Sequence, residues 1–204
     1  MVIGVDFDNT IVCYDALFHR IAVERGMIPS TVPARKKEVR DALRQQGMER
    51  EWTELQGYLY GKRMAEAEPF PGVLDFFVRG VKAGLPLYII SHKTPTAAAG
   101  PAYDLHQPAR EWLVTRGFFD PARVGLSPDH VHFGATRQDK INFIRKAGCT
   151  HFIDDLEETF LEETFPPSVV KILFGRQEVP PSLSSAKLAE NWSEVSAYFF
   201  NGTK

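Results

Sequence analysis

Short apolar runs recur along the chain, each about as long as a strand: VIGVDF at the start, then LPLYIIS, VHF, THFID and VVKILF. Between them the apolar positions follow helical spacing. Leu74, Phe77, Val78 and Val81 fall at i, i+3, i+4 and i+7, with Pro71-Gly72 before them and Gly84 after. Trp112 and Leu113 lie in a segment that starts after Pro108 and stops at Gly117. Ile141, Ile144 and Ala147 mark a third helix, ended by Gly148, and Leu188, Trp192, Val195 and Phe199 mark the last. Strands alternating with helices predict an α/β fold in three layers, with helices on both faces of a mainly parallel, five-stranded sheet.

One region breaks the alternation. Residues Asp15 to Glu68 carry helical patterns, Leu17 with Ile21, Val39 with Leu43, then Trp52, Leu55 and Leu59, and no strand. Loops in compact domains rarely pass ~15 residues, so residues 15–68 read as a small helical insertion, and residues 1–14 with 69–204 as the α/β core. A second irregular stretch, KTPTAAAGPAYDLHQP, follows His92 and reads as a loop at the carboxyl edge of the sheet.

Composition narrows the class. With 204 residues, 44% hydrophobic and 25% charged, the chain is an ordinary globular one with a full core. A net charge of −2 provides no field to attract nucleic acid polymers or an anionic membrane. Cys13 and Cys149 are too few for a disulfide scaffold or a four-cysteine zinc site. The N-terminus lacks a basic flank ahead of a long apolar segment, and no apolar stretch reaches membrane-spanning length. These features favour a cytoplasmic location.

Candidate chemistry gathers where the predicted strands end. Residues i and i+2 of a strand share a face, so Asp6 and Asp8 of VDFDNT crowd one edge, a costly arrangement unless a cation relieves it. The second run ends at Ser91, the fourth in Asp154-Asp155, and Lys140 falls in the first turns of the helix before that fourth run, with Thr136 and Asp139 as a capping pair. Ligands of open parallel sheets bind at the carboxyl ends of strands. Several acids, a hydroxyl and a lysine meeting there suit Mg²⁺ together with a phosphate.

These stretches resemble the motifs of the haloacid dehalogenase (HAD) superfamily of phosphohydrolases. VIGVDFDNT is similar to its apolar strand followed by DxDxT, LYIISHKT to its strand ending in Ser or Thr, and HFIDD to its strand ending in paired acids. Lys140 stands in the place of its lysine, and PFPGV at 69–73 looks like its return from a cap. The resemblance runs from about Met1 to Arg176. It implies a Rossmann-like core with a helical cap of the C1 type, and Mg²⁺ as cofactor. It implies Asp6 as the nucleophile that becomes an aspartyl-phosphate, and Asp8 as the acid and base. Ser91 would hold phosphoryl oxygens, and Lys140 would bridge phosphate and nucleophile. Metal ligands would be Asp6, the Asp8 carbonyl and Asp155, with Asp154 through water. Asn9, Thr10, Ser91, His92 and Lys93 become substrate-binding candidates, and Trp52, Tyr58, Tyr60, Lys62 and Arg63 candidate cap contacts. Asn9 departs from the glycine common at its position, and the loop after Ser91 is unusually long.

The second aspartate argues for phosphoryl transfer over dehalogenation, because an alkoxide must be protonated as it leaves and a halide need not be. The resulting expectation is a Mg²⁺-dependent phosphomonoesterase acting on a small phosphorylated metabolite. A C1-capped sugar phosphomutase would share every motif. A metal-dependent glycosyltransferase is opposed by the position of the motif on the first strand. A non-catalytic phosphate or metal-binding protein is the alternative outside enzymology.

Overall fold

The computed structural model describes residues 1–175 and 181–201, so Arg176 lies outside the described residues. The first apolar run forms the short strand β1 (Ile3–Val5), all three residues buried. The chain reverses through Phe7, whose carbonyl accepts from the N–H groups of Ile11 and Val12, each at 3.0 Å. It leaves and later re-enters the sheet region through β2 (Val12–Cys13) and β3 (Glu68–Pro69), which pair as a two-stranded ribbon. The remaining sheet strands are β4 (Leu87–His92), β5 (Val131–Gly134), β6 (His151–Asp154), β7 (Val170–Phe174) and β8 (Lys187–Ala189).

Among the described residues these strands and β1 make a six-stranded sheet in the order β5-β4-β1-β6-β7-β8, every pair parallel. The α/β architecture is the expected one, with one strand more than the five predicted. That strand, β8, takes Leu188, which helical spacing had assigned to the last helix. Three residues, two of them exposed, are too short a run to show strand alternation. The last helix, α8, spans Trp192–Phe200.

The helices beside the sheet follow the periodicity closely. In α4 (Val73–Lys82) the deepest stripe is Val73, Phe76, Phe77 and Gly80, one position away from part of the predicted one. α6 (Arg137–Lys146) begins in a capping box, with Thr136 and Asp139 exchanging side-chain and backbone hydrogen bonds, and Gly148 follows it at φ 65°. α7 (Glu157–Leu161) follows β6 and places Phe160 beside Phe152 and Phe165. Gly4 is required by packing: a Cβ there would lie 2.6 Å from the Phe152 ring and 2.9 Å from Cys149 Sγ.

The chain divides into two compact units: residues 1–12, 69–93 and 116–204 form the one holding the sheet, and residues 13–68 with 94–115 form a helical one. The helical unit contains α1 (Asp15–Glu24), α2 (Lys36–Gln45), α3 (Glu49–Lys62) and α5 (His106–Thr115). Its interior is aromatic, with Phe18 4.8 Å from Trp52 and Tyr14 4.9 Å from Tyr60 between ring centroids. Trp112 lies in this interior as well and donates from Nε1 to the Ala67 carbonyl at 2.8 Å. α5 starts at His106, ahead of the predicted start after Pro108. The Asp104 carboxylate accepts from the N–H groups of His106 and Gln107, which begins the helix early, and a proline is tolerated in a first turn. The long loop after Lys93 packs on α3, where Gly57 and Gly61 leave room for Ala97 and Tyr103. No helix among the described residues is long and apolar enough to cross a membrane.

Candidate active site

Strand order creates the site. β1 lies between β4 and β6, with Val5 level with both Ile89 and Ile153. The residue after Val5 therefore emerges at the carboxyl edge where the sheet changes direction of growth, the usual ligand position in such sheets. That residue is Asp6. Its N–H donates to the Ile153 carbonyl at 2.9 Å, and only 4% of its surface is exposed.

Two of the predicted groups converge on Asp6, and one of them also reaches Asp154. Ser91 Oγ donates to Asp6 Oδ1 at 2.9 Å, and Lys140 Nζ donates to the same oxygen at 2.7 Å. Lys140 Nζ also donates to Asp154 Oδ2 at 2.6 Å. The capping box that fixes the start of α6 thus sets the lysine, one residue beyond Asp139, against two strand ends. Lys140 is itself buried, at 2% exposure. Burial opposes its charge, but Asp154 and Asp6 more than offset that and hold its proton more firmly than usual. Asp6 has the harder position. Burial pushes its carboxyl from 3.8 to about 7, Lys140 opposes the shift, and Asp154 and Asp8 add to it. One ammonium serves several carboxylates, so the lysine gains what the aspartate cannot.

Asp6, Asp154 and Asp155 each offer an oxygen within 4.8 Å of the others. Asp154 has both oxygens engaged, one by Lys140 and the other by the Leu156 N–H at 3.0 Å. Asp155 accepts from Thr10 Oγ1 at 3.4 Å, so the fully buried Thr10 joins the first strand's loop to the paired acids. Asn9 adopts φ 58°, among the described residues the one non-glycine position in the left-handed region. Asparagine tolerates that conformation better than most residues, which accounts for its standing where glycine is common.

Asp8 is held apart from this cluster by Lys93. The lysine ammonium donates to both Asp8 oxygens, at 3.0 and 2.8 Å, and is only 3% exposed. Lys93 was a substrate-binding candidate, but no feature of the sequence indicated its pairing with a residue 85 positions away. His92 is exposed, with Nε2 3.2 Å from the Ala135 carbonyl, and burial lowers its pKa. A further residue that sequence reading placed only in the core is Trp192. Its Nε1 donates to the Thr10 carbonyl at 2.9 Å, fastening α8 to the loop that carries Asp8 and Asn9.

The candidate cap residues lie in the helical unit. Trp52 is core. Tyr60 lies tilted against Tyr14 and edge-on to Phe18. Tyr58 has the Arg25 guanidinium 3.9 Å above its ring and accepts from Arg63 at 3.3 Å, and these arginines lower its pKa. Arg63 also pairs with Glu66, and Lys62 lies 5.4 Å from the Tyr103 ring.

No protein-family model matches the chain, and no curated protein matches it. Solved structures do match its fold. A HAD family hydrolase from Deinococcus radiodurans R1, solved with bound phosphate and sodium, is 15% identical over 98% of this chain and 95% of its own, with a TM-score of 0.61. Protein Tyrosine Kinase A of Mycobacterium tuberculosis is 15% identical over 97% and 96%, at 0.60. A predicted phosphoglycolate phosphatase from Haemophilus somnus 129pt is 13% identical over 97% and 96%, at 0.53. The chain has the fold of the HAD superfamily hydrolases.

Proposed function

We propose that this protein is a Mg²⁺-dependent phosphomonoesterase that hydrolyses a small phosphorylated metabolite through an aspartyl-phosphate on Asp6. The observation that carries the reading is the joint contact of Lys140 with Asp6 and Asp154, beside three carboxylates close enough to share one cation.

The donor set fits Mg²⁺. All candidate ligands are hard oxygens, and the two cysteines are elsewhere in the chain. Burial, with Asp154 and Asp8 adding to it, makes the Asp6 charge costly, and a cation beside it would relieve that cost. Asp6, the Asp8 carbonyl and Asp155 would hold the ion, with Asp154 linked through water because its own oxygens are taken. Bound there, the ion supplies charge neutralisation for the carboxylates and the phosphoryl oxygens.

In the first half-reaction an Asp6 oxygen attacks phosphorus and the bond to the ester oxygen breaks. Asp8 gives its proton to the departing alkoxide. Ser91 and Lys140 hold the phosphoryl oxygens as charge redistributes over them. In the second half, Asp8 takes a proton from water as that water attacks phosphorus, and the Asp6–phosphorus bond breaks to release inorganic phosphate. Asn9, Thr10 and His92 border the same strand ends and are the proposed neighbours of the substrate. The helical unit is the proposed cap that selects a small substrate, with Tyr58, Tyr60, Lys62 and Arg63 as its candidate contacts. The chain passes into it directly after Val12 and Lys93, two segments that carry site residues.

Phosphate release from a panel of sugar and nucleotide monophosphates tests the reading. Chelation should abolish release and added Mg²⁺ restore it, while Asp6→Asn should release none. Undiminished turnover in metal-free enzyme would overturn the assignment. Conversion of a sugar phosphate to its isomer without phosphate release would point to a mutase.

A further inference from the structure

We propose that Lys93 is a positioning residue for the reaction, acting through Asp8, and does not contact the substrate. The inference rests on the phosphatase reading above. Lys93 lies two residues beyond Ser91, at the carboxyl end of β4, where its N–H donates to the Gly134 carbonyl at 2.8 Å and fixes its backbone to the neighbouring strand. From that anchor the side chain runs inward and is nearly sealed from solvent, with its ammonium 5.6 Å from the Phe7 ring centroid. It ends on both oxygens of Asp8, whose side chain keeps 18% of its surface exposed.

Burying a lysine is costly, and such a pair is retained for a reason other than stability in many proteins. Here a reason follows from the layout. Asp8 stands two residues from Asp6, within reach of a cluster that already holds three carboxylates. Asp8 and that cluster repel one another. The two-point contact with Lys93 draws the Asp8 carboxylate toward β4 and leaves Lys140 to serve Asp6 and Asp154. A group that gives a proton to a leaving oxygen and then takes one from water must face one point in both steps. The ammonium holds both oxygens of the ionised carboxylate; when Asp8 carries its proton, the protonated oxygen faces the leaving oxygen and the other keeps the ammonium. A displacement of about 1 Å in such a group lowers a rate by roughly 10²-fold. With both oxygens of Asp8 engaged and little exposed surface, the lysine is poorly disposed to receive a phosphoryl group itself.

Turnover of an alkyl phosphate and of nitrophenyl phosphate by Lys93→Met, Lys93→Arg, Asp8→Asn and the Lys93→Met/Asp8→Asn double variant tests this. Lys93→Met should lower kcat on the alkyl phosphate by about 10²-fold, with KM nearly unchanged, and by much less on nitrophenyl phosphate, whose leaving group needs little protonation. Lys93→Arg should recover part of the loss. The double variant should be no slower than Asp8→Asn alone, since the lysine has nothing left to position. Losses that multiply in the double variant would overturn the role, as would a rise in KM with kcat intact. Lys93→Gln, with circular dichroism on every variant, separates a folding defect from a kinetic one. A wild-type enzyme that releases no phosphate from any ester overturns the parent reading and this role together, whereas phosphate release with multiplying losses overturns the role of Lys93 alone.

Discussion

Asp6→Asn should make the metal-free protein more stable at alkaline pH, although it removes the proposed nucleophile. In the absence of metal the Asp6 carboxyl is shifted from 3.8 to about 7, chiefly by burial. An acid whose folded-state pKa is raised holds its proton more tightly when folded. The associated stability is therefore complete below about pH 4 and is lost as pH rises through about 7. A difference of about 3, at ~1.4 kcal/mol for each pKa unit, puts the full loss near ~4 kcal/mol above pH 7. Asparagine has the same shape and no charge, so it escapes that loss. Against this, Lys140 exchanges a charged acceptor at 2.7 Å for a neutral one, a weakening of about 1.5–3 kcal/mol for a hydrogen bond to a charged group. The expected net gain is about 1–3 kcal/mol at pH 8.5, shrinking steadily toward pH 5.

Chemical denaturation in chelator at pH 5, 7 and 8.5 measures this directly, with equal m-values required for the comparison. Magnesium provides the second arm. At a hundred times its dissociation constant it should stabilise the wild type by about 2.7 kcal/mol, and the variant by far less. A variant less stable than wild type at pH 8.5, with a parallel pH profile, would show that Asp6 is comfortably ionised without metal. The charge-based account of the site would then fail.

Two further substitutions probe other links. Lys140→Met removes the ammonium between Asp6 and Asp154 and should destabilise the fold by about 3–5 kcal/mol, the usual result of breaking a buried ion pair from one side; denaturation and phosphate release should both report it. Gly61→Ala places a Cβ 2.4 Å from that of Tyr103 and should cost about 1–3 kcal/mol of overpacking, read as faster hydrogen exchange in α3 and the loop it contacts.

Much of this molecule is legible in its sequence, and the gaps have physical causes. Long periodic segments such as α4 and α6 declare themselves because burial of one face dominates their composition. Asp6, Ser91, Lys140, Asp154 and Asp155 are recoverable because each follows an apolar run or a helix start, and parallel pairing brings strand ends together. The strand β8 was missed because three residues at a sheet edge bury too little to leave a pattern. The early start of α5 depends on one carboxylate, Asp104, overriding the boundary suggested by Pro108. The pairings of Lys93 and Trp192 escaped for a third reason. Their partners, Asp8 and the Thr10 carbonyl, lie 85 and 182 positions away, and nothing local marks a lysine or a tryptophan as belonging to a loop so distant.

The charges at the strand ends explain why these separations matter. Asp6, Asp8, Asp154 and Asp155 supply four negative charges, and Lys93 and Lys140 two positive ones, leaving a formal excess of two. A divalent cation cancels that excess; a phosphate dianion arriving alone would double it. The same residues that would attract a metal would therefore disfavour phosphate until that metal is in place. The two lysines also divide the acids, Lys140 pairing with Asp6 and Asp154 and Lys93 with Asp8; on the proposed mechanism, that separates the acids beside the phosphorus from the one that exchanges protons.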